Sequence, residues 1–176
     1  MDNQSARDTA DSSADRILIV MRHAKSDWGD SSLSDHDRPL NARGQRDAPR
    51  MADWLADSGW TPDVVLSSSS LRTRQTLQLM NDRWQTEPTA LYSESLYLAA
   101  PDTILDCIHS DGIGAKHLMV LAHNPGIAYF ASTLANESLD MPTAAVAVFQ
   151  LHLDQWSDLR VSTPMQMVEF MRPKAL

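Results

Sequence analysis

The sequence contains only one cysteine, Cys107, among its 176 residues. A single cysteine excludes a disulfide within the chain and leaves no set of thiolates for a structural zinc site. No stretch approaches the roughly 18 consecutive apolar residues of a membrane-spanning helix, and the polar segment 1–14 lacks the apolar centre of a secretory signal. We therefore expect a soluble protein of the reducing cytoplasm, with a disordered lead-in over residues 1–14 and one domain over residues 15–176.

Positive charge is also scarce. The chain has 15 lysines and arginines against 23 aspartates and glutamates, which gives a formal net charge of −8. Nucleic-acid binding is driven by clustered cations, so this balance argues against a nucleic-acid partner, and nothing indicates a membrane partner. Any anion that the protein binds must be held by a local concentration of positive charge.

Several catalytic motifs are missing. The serine run Ser67–Ser70 lacks the glycines of the Gly-x-Ser-x-Gly turn of serine hydrolases, and the segment DGIGAKH (111–117) lacks the Gly-Lys-Ser/Thr of a P-loop. No arginine closely follows Cys107, as a cysteine-dependent phosphatase requires. Cys107, His109 and His117 do not have the spacing of a zinc site.

Short apolar segments alternate with amphipathic ones along the chain. This order predicts an α/β fold, a three-layer α/β/α sandwich with a mostly parallel central sheet. The expected strands are 16–21, 62–68, 89–99 (becoming irregular), 116–122, 144–153 and 165–171. The expected helices are one that begins near Pro49 and ends near Gly59, one with Leu77, Met80 and Trp84 on one face, a short one with Ile104, Leu105 and Ile108, and one from about Pro125.

Cationic and polar residues follow three of the predicted strands. Arg22 and His23 come directly after the first strand, Arg72 follows the serine run after the second, and His123 follows the strand that ends at Ala122. Ligands of parallel sheets gather at these strand ends. Two arginine forks suit a phosphate group, one neutral imidazole can act as a nucleophile, and a second, protonated imidazole can donate to a phosphoryl oxygen.

Each of these residues also has a purely structural interpretation. Arg72 could be an ordinary arginine of a first helical turn, and His123 could cap a turn through Asn124 and Pro125. The equivalent placement of all four residues at strand ends favours a common site. That site has the parts needed for phosphoryl transfer through a phosphohistidine.

Four segments resemble a known family, the histidine phosphatase superfamily, whose members are phosphoglycerate mutase-like, and within it the small SixA-type phosphohistidine phosphatases. The segments are MRHAKSDW (21–28), DRPLNARG (37–44), LSSSSLRTRQT (66–76) and VLAHNPG (120–126). The resemblance covers nearly the whole chain from Arg16. It implies that His23 accepts the phosphoryl group and that Arg22, Arg72 and His123 bind the phosphate, with no metal or other cofactor.

The resemblance leaves a few roles open. Ser26 either gives the phosphate another donor or only forms a turn, and Lys25 and Arg38 add positive charge at the mouth of the pocket or are simply solvated. Glu94 is the candidate acid that protonates the leaving group, and a solvated loop carboxylate is the alternative.

The expected function is that of a phosphoric monoester hydrolase, and specifically a phosphohistidine phosphatase. An alkoxide leaves poorly without a proton, since the pKa of water is about 15.7, whereas the conjugate acid of imidazole has a pKa of about 6.5. A weakly defined acid therefore favours phosphohistidine on a protein, or a small phosphoester, as the substrate. The alternative is a catalytically weak binding protein that uses the phosphate pocket to recognise a phosphorylated partner. The oligomeric state is left open.

Overall fold

A computed structural model describes residues 14–176 of the chain. The prediction of a disordered lead-in lies outside these residues except at Ala14, where the first strand begins. No helix in the described range is both long enough and apolar enough to cross a membrane. The elements in that range are β1 (Ala14–Arg22), α1 (Ala42–Asp57), β2 (Val64–Ser68), α2 (Leu71–Asn81), β3 (Thr89–Ser93), α3 (Pro101–Asp111), β4 (His117–Ala122), α4 (Gly126–Ala135), β5 (Val146–Leu153) and β6 (Met165–Met171).

The strands form one sheet in the order β3-β2-β4-β1-β5-β6. The first four strands are parallel to one another, and β5 runs antiparallel to both of its neighbours. The predicted mostly parallel sheet is confirmed. Because β1 lies between β4 and β5, the residues that follow β1 emerge near the middle of one sheet edge.

Helices cover both faces of the sheet. Alternate residues of β1 point to opposite faces: Leu18 and Val20 pack against α3 and α4, whereas Ile19 and Met21 pack against α1 and α2. All four side chains are fully buried. A strand covered on both faces has no polar alternation, which explains the continuous apolar run of its sequence and confirms the three-layer arrangement.

Two helix boundaries differ from the sequence-based expectation. The prediction that α1 begins near Pro49 is wrong, because the helix begins at Ala42 and contains Pro49 in its interior. The side chain of Asn41 caps the helix by accepting a hydrogen bond of 3.0 Å from the backbone N–H of Gly44. This cap and the buried face of α1 outweigh the hydrogen bond that Pro49 cannot donate. Trp84 lies beyond the end of α2, although it is buried as expected.

Gly126 begins α4 where the helix contacts the loop that leads into α3. A Cβ atom built on Gly126 would overlap the carbonyl oxygen of Ala99. Only glycine permits this close approach of the two backbones. The contact holds the start of α4, and thereby the turn that carries His123, against the rest of the domain.

Replacing Gly126 with alanine is expected to lower the free energy of unfolding by about 1–3 kcal/mol or more, because one of the two backbones must move. Urea unfolding followed by circular dichroism measures the loss. Gly29→Ala is the matched control, since a Cβ there meets only the side chain of Asp27, and its expected change is within about 0.5 kcal/mol. Equal stabilities of the two variants would contradict this explanation.

Candidate active site

The sheet brings the four predicted phosphate-site residues together. Arg22 at the end of β1 pairs with Ala122 at the end of β4, so the residues that follow these strands are neighbours. The ring centroids of His23 and His123 are 5.0 Å apart. Arg72, in the first turn of α2, reaches both rings: its Nε lies 3.4 Å from His23 Nε2 and its Nη2 lies 3.2 Å from His123 Nδ1.

The hydrogen bond at one ring nitrogen of His23 determines which nitrogen carries the proton. Its Nδ1 lies 2.7 Å from the carbonyl oxygen of Ala24, and because a carbonyl only accepts, Nδ1 carries the proton. Nε2 of the neutral ring is therefore unprotonated. The Ala24 backbone is itself held, since its N–H donates to the Thr76 hydroxyl at 3.1 Å. The carbonyl of Ala24 thus fixes the tautomer of His23.

The surroundings of His23 keep the ring neutral. Burial lowers the pKa of His23 well below the usual 6.5, and the hydrogen bond to the Ala24 carbonyl partly opposes this shift. Electrostatic repulsion from the positive charges that His123, Arg72 and Arg22 can carry lowers the pKa further. The imidazole is 6% exposed. A neutral imidazole with an unprotonated Nε2 is the form that can attack phosphorus, and the hydrogen-bond contact of 3.4 Å from Arg72 Nε is the only one to that nitrogen within residues 14–176.

Arg72 is held in place by Asp35, a residue of the loop between β1 and α1. Arg72 Nη1 donates to the Asp35 backbone carbonyl, and Nη2 lies 3.1 Å from Asp35 Oδ2. Burial alone would raise the pKa of Asp35, but the hydrogen bond from Tyr97 and the charges of Arg72 and Arg38 outweigh it and lower the pKa to about 2. Asp35 is therefore an ionised carboxylate that orients the arginine.

Arg22 has most of its donors free. Its Nη1 donates to the carbonyl of Met141 at 3.0 Å, while its Nε is buried and has no hydrogen-bond partner among residues 14–176. Burial lowers the pKa of Arg22, and nearby Asp140 partly opposes that shift. An arginine with unused donors beside a cavity is prepared to bind an anion.

The second imidazole of the site, that of His123, is also buried. Burial lowers its pKa to about 3, and the charge of Arg72 contributes to the shift. His123 is therefore neutral in the unliganded site, and the expectation that a protonated imidazole donates to a bound phosphoryl oxygen stays a prediction. Because arginine only donates, His123 Nδ1 accepts from Arg72. Its Nε2 then carries the proton, and it lies 2.8 Å from the Ser68 hydroxyl oxygen.

Burial of two neutral histidines makes the stability of the fold depend on pH. In the unfolded chain both imidazoles gain a proton below about pH 6.5, whereas the lowered pKa values of His23 and His123 keep them neutral in the folded protein. The unfolded state then binds more protons. The free energy of unfolding is thus expected to fall by about 1.4 kcal/mol per pH unit for each histidine as the pH drops below about 6.5.

For His123 this decline extends down to about pH 3, its folded-state pKa. Urea unfolding at several pH values between about pH 7 and pH 5 isolates the histidines from most carboxylates. The variant His123→Asn cannot titrate at this position, so its stability should depend less steeply on pH. An unchanged slope in that variant would show that His123 is not a buried neutral group.

The four residues face a cavity of about 300 Å³ at the carboxyl edge of the parallel strands. Ser26 is buried and lines this cavity, where its hydroxyl can donate to a ligand. No group of three or more histidine, cysteine, aspartate and glutamate side chains in the described range could hold a metal ion. The cavity is lined by Arg22, His23, Lys25, Ser26, Trp28, Asp35, Arg38, Arg72, Leu98, His123, Asn124 and Thr143.

Glu94 does not line this cavity. It begins a short 3-10 helix, Glu94–Leu96, that follows β3, and its side chain is 79% exposed with one oxygen 3.6 Å from His36 Nε2. Its role as an acid stays a prediction. The carboxylate that the structure places at the cavity is that of Asp35.

Sequence reasoning missed three polar residues that contact the site: Asp35, Tyr97 and Ser68. Tyr97 donates to Asp35, and its ring centroid lies 5.5 Å from that of His123. Ser68 is one of the four consecutive serines 67–70, and the sequence alone does not indicate which of them contacts a histidine. For Asp35 the only signal is its position just before the segment DRPLNARG.

Comparison with known proteins is consistent with this geometry. The family model described as histidine phosphatase superfamily (branch 1) matches residues 18–93. An uncharacterized chloroplastic protein of Arabidopsis thaliana is 35% identical over 155 residues, which cover 83% of this chain and 71% of that protein.

Two solved structures show the same fold. One, assigned as the phosphohistidine phosphatase SixA of Agrobacterium tumefaciens, has a TM-score of 0.77 and 27% identity, covering 90% of this chain and 98% of that one. The other, the protein histidine phosphatase SixA complexed with tungstate, has a TM-score of 0.75 and 23% identity, again covering 90% and 98% of the two chains. The motifs, the fold and these matches agree, and the chain belongs to the histidine phosphatase superfamily.

Proposed function

We propose that the protein is a SixA-like phosphohistidine phosphatase, which transfers a phosphoryl group from its substrate to His23 and then to water. Family membership and the SixA-type fold support a phosphatase at the level of the enzyme class. The observation that carries the mechanism is the state of His23: a buried, neutral ring whose Nδ1–H is held by Ala24 and whose Nε2 lies beside the Arg72 guanidinium.

In the first step, the Nε2 lone pair of His23 forms a bond to phosphorus while the bond from phosphorus to the leaving group breaks. The leaving group keeps the electron pair of that bond. Nδ1 keeps its proton, so the phosphorylated ring is a cation, and the Ala24 carbonyl oxygen at 2.7 Å stabilises it. Arg22, Arg72 and Ser26, which line the cavity, then hold the equatorial oxygens, so catalysis rests on position and charge.

In the second step, a water oxygen bonds to phosphorus and the electron pair of the N–P bond returns to His23. The protons of the water are shared between inorganic phosphate and solvent. The negative charge of a bound phosphate counteracts the burial that lowers the pKa of His123, so that this ring can then take up a proton and assist. Because the electron pair of the N–P bond returns to Nε2, each turnover regenerates the neutral imidazole of His23.

The surroundings of the cavity favour a leaving group that needs little help from an acid. Asp35 is ionised, His123 is neutral in the unliganded protein, and Glu94 is exposed and does not line the cavity. The ring of a phosphohistidine can take up a proton before the bond breaks and then depart as neutral imidazole, whereas an alkoxide cannot. A phosphohistidine carried by a protein is therefore the proposed substrate, and a small phosphoester with a good leaving group is the second choice.

The test compares turnover of a phosphohistidine protein with that of a series of phosphoesters whose leaving alcohols or phenols increase in pKa. We expect turnover of phosphohistidine and aryl phosphates, and a steep fall in kcat/KM towards alkyl phosphates. A flat dependence on leaving-group pKa would show that an acid, such as Glu94, takes part. Stoichiometric vanadate binding without turnover of any of these compounds would instead favour the binding-protein alternative.

A further inference from the structure

Two large apolar side chains are exposed at the mouth of the cavity at His23. Trp28 lies in the loop after β1 and is 70% exposed, and Leu98 lies in the loop before α3 and is 53% exposed. Single exposed apolar residues are common on protein surfaces. Among the exposed large apolar side chains of residues 14–176, however, only these two line the cavity.

The exposed ring of Trp28 is held in a fixed position. The Arg38 guanidinium stacks on it, with Cζ 3.4 Å from the ring centroid. Arg38 is itself buried, its Nη2 lies 2.9 Å from Asp35 Oδ1, and its Nη1 donates to the Asp27 carbonyl at 3.2 Å. The Asp27 N–H in turn donates to the Pro39 carbonyl at 2.8 Å. A rigid aromatic ring of this kind loses little conformational entropy when it binds a partner.

Leu98 is exposed in a strained backbone conformation. Its φ is 51°, in the left-handed region that bulky residues rarely adopt. Such strain persists where the surrounding structure imposes it, and it is concentrated at functional sites. The preceding residue, Tyr97, fixes this segment, because it donates to Asp35 and its ring lies against that of His123. The chain thus holds an apolar side chain at the cavity mouth although the conformation is unfavourable.

Both exposed side chains are linked to a phosphate-site arginine through one carboxylate. Asp35 Oδ1 accepts from Arg38, which stacks on Trp28. Asp35 Oδ2 accepts from Tyr97, the neighbour of Leu98, and from Arg72. The groups at the mouth and the guanidinium inside the cavity therefore belong to one network, and their relative positions are set before a substrate binds.

The charge and size of the cavity determine what can contact these two side chains. Four cationic side chains and one carboxylate line the cavity, so its charge complements a phosphoryl group. Its volume of about 300 Å³ suffices for a phosphorylated side chain and is too small for the protein that carries it. The surface of such a protein must then lie over the mouth, against Trp28 and Leu98.

We propose that Trp28 and Leu98 form a docking surface for the protein that carries the phosphohistidine, and that they bind apolar side chains beside the phosphorylated residue. This docking role rests on the proposed function and adds the feature that favours a protein over a small phosphorylated compound. A small substrate fills the cavity and leaves both exposed side chains in water. A protein substrate buries them, and buried aromatic side chains contribute strongly to binding at interfaces.

The test compares free phosphohistidine with several folded proteins, each phosphorylated on an exposed histidine with phosphoramidate. The same kind of bond breaks in all of them. The ratio of kcat/KM for the best protein to kcat/KM for free phosphohistidine therefore measures the contribution of the protein surface. We expect a ratio of at least about ten for the wild type.

Trp28→Ala should lower this ratio about tenfold, mainly through KM for the protein substrate, and Trp28→Phe should keep most of it. Tyr129→Ala is the matched control. Tyr129 is an aromatic residue of α4 that is 63% exposed and does not line the cavity, so its removal should leave the ratio unchanged.

Leu98→Gly distinguishes docking from a role in the fold. Glycine relieves the strain at a φ of 51°, so the midpoint of urea unfolding should rise or stay the same. The kcat/KM ratio should nevertheless fall about threefold or more, because an apolar contact with the protein substrate is lost. A leucine that served only the fold would give the opposite result, a lower midpoint with an unchanged ratio.

Three results would overturn the docking surface: a wild-type ratio close to one, a ratio that survives both Trp28→Ala and Leu98→Gly, or an equal loss with free phosphohistidine and with proteins in Trp28→Ala. The last would show that the indole only supports Arg38 and the network behind it. In each case turnover of phosphohistidine leaves the proposed function intact. A wild-type protein that turns over neither kind of substrate would instead refute the proposed function, and the docking surface with it.

Discussion

Replacing His23 with alanine is expected to lower kcat by a factor on the order of 10⁴ or more, because the only group placed to form a bond to phosphorus is removed. In the wild type, this imidazole is buried, neutral and oriented by the Ala24 carbonyl. The other imidazole of the site is less suited to replace it, because His123 Nε2 carries a proton and faces Ser68, and His123 Nδ1 accepts from Arg72 at 3.2 Å, a shorter contact than the 3.4 Å between Arg72 Nε and His23 Nε2. The remaining cations still bind phosphate, so loss of turnover without loss of binding is the expected signature.

Rapid quenching with labelled substrate measures this prediction. Wild-type protein should show an acid-labile label on one histidine, and the His23→Ala variant should show none. His152, an exposed histidine on β5 beside Asp15, gives the matched control His152→Ala, which should keep both label and turnover. Calorimetry with a monophosphonate checks that the His23 variant still folds and binds. A His23→Ala protein with substantial turnover would refute the covalent mechanism.

The convergence of the candidate site residues was predictable from the sequence because buried parallel strands open at a common edge. The apolar run before Arg22 and the one before His123 indicate two such strands. Because the ends of these strands pair in the sheet, the centroids of the two imidazole rings lie 5.0 Å apart. Arg72 was predictable for the same reason, as the first arginine after the strand that ends in the serine run. These predictions depend on periodicity and strand ends, which local sequence determines well.

Features that depend on loops or on burial were not predictable. The loop before α1 contains four aspartates, and only the folded loop shows that Asp35, and none of the other three, lines the cavity and holds Arg72. The neutral state of His123 follows from its burial, whereas its residue type alone suggests titration near neutrality. Likewise, the pairing of β5 with β1 and β6 brings Lys174 to a second cavity that Arg22 also lines, which no local pattern indicates.

Arg72→Lys tests whether the geometry of the guanidinium, as well as its charge, is needed. Arg72 is 2% exposed and divides its donors among the Asp35 backbone, the Asp35 carboxylate and His123, with Nε beside His23. A lysine ammonium is a single point charge on a flexible stem and cannot make these contacts together. We expect kcat/KM to fall by about 10²–10³, the usual cost of removing an oriented donor from a site where charge develops.

The effect should appear mainly in kcat, because the charge that attracts the phosphate is kept while its orientation is lost. Labelling of His23 should persist in the Arg72→Lys variant but form more slowly, which separates this variant from His23→Ala. Arg83→Lys is the matched control: Arg83 is an exposed arginine whose fork pairs with Asp53 at 2.8 Å, away from the cavity. Its kcat/KM should stay within about twofold of the wild type. If Arg72→Lys loses less than about tenfold in kcat/KM, charge alone explains the role of Arg72, and the network through Asp35 serves the fold and not the reaction.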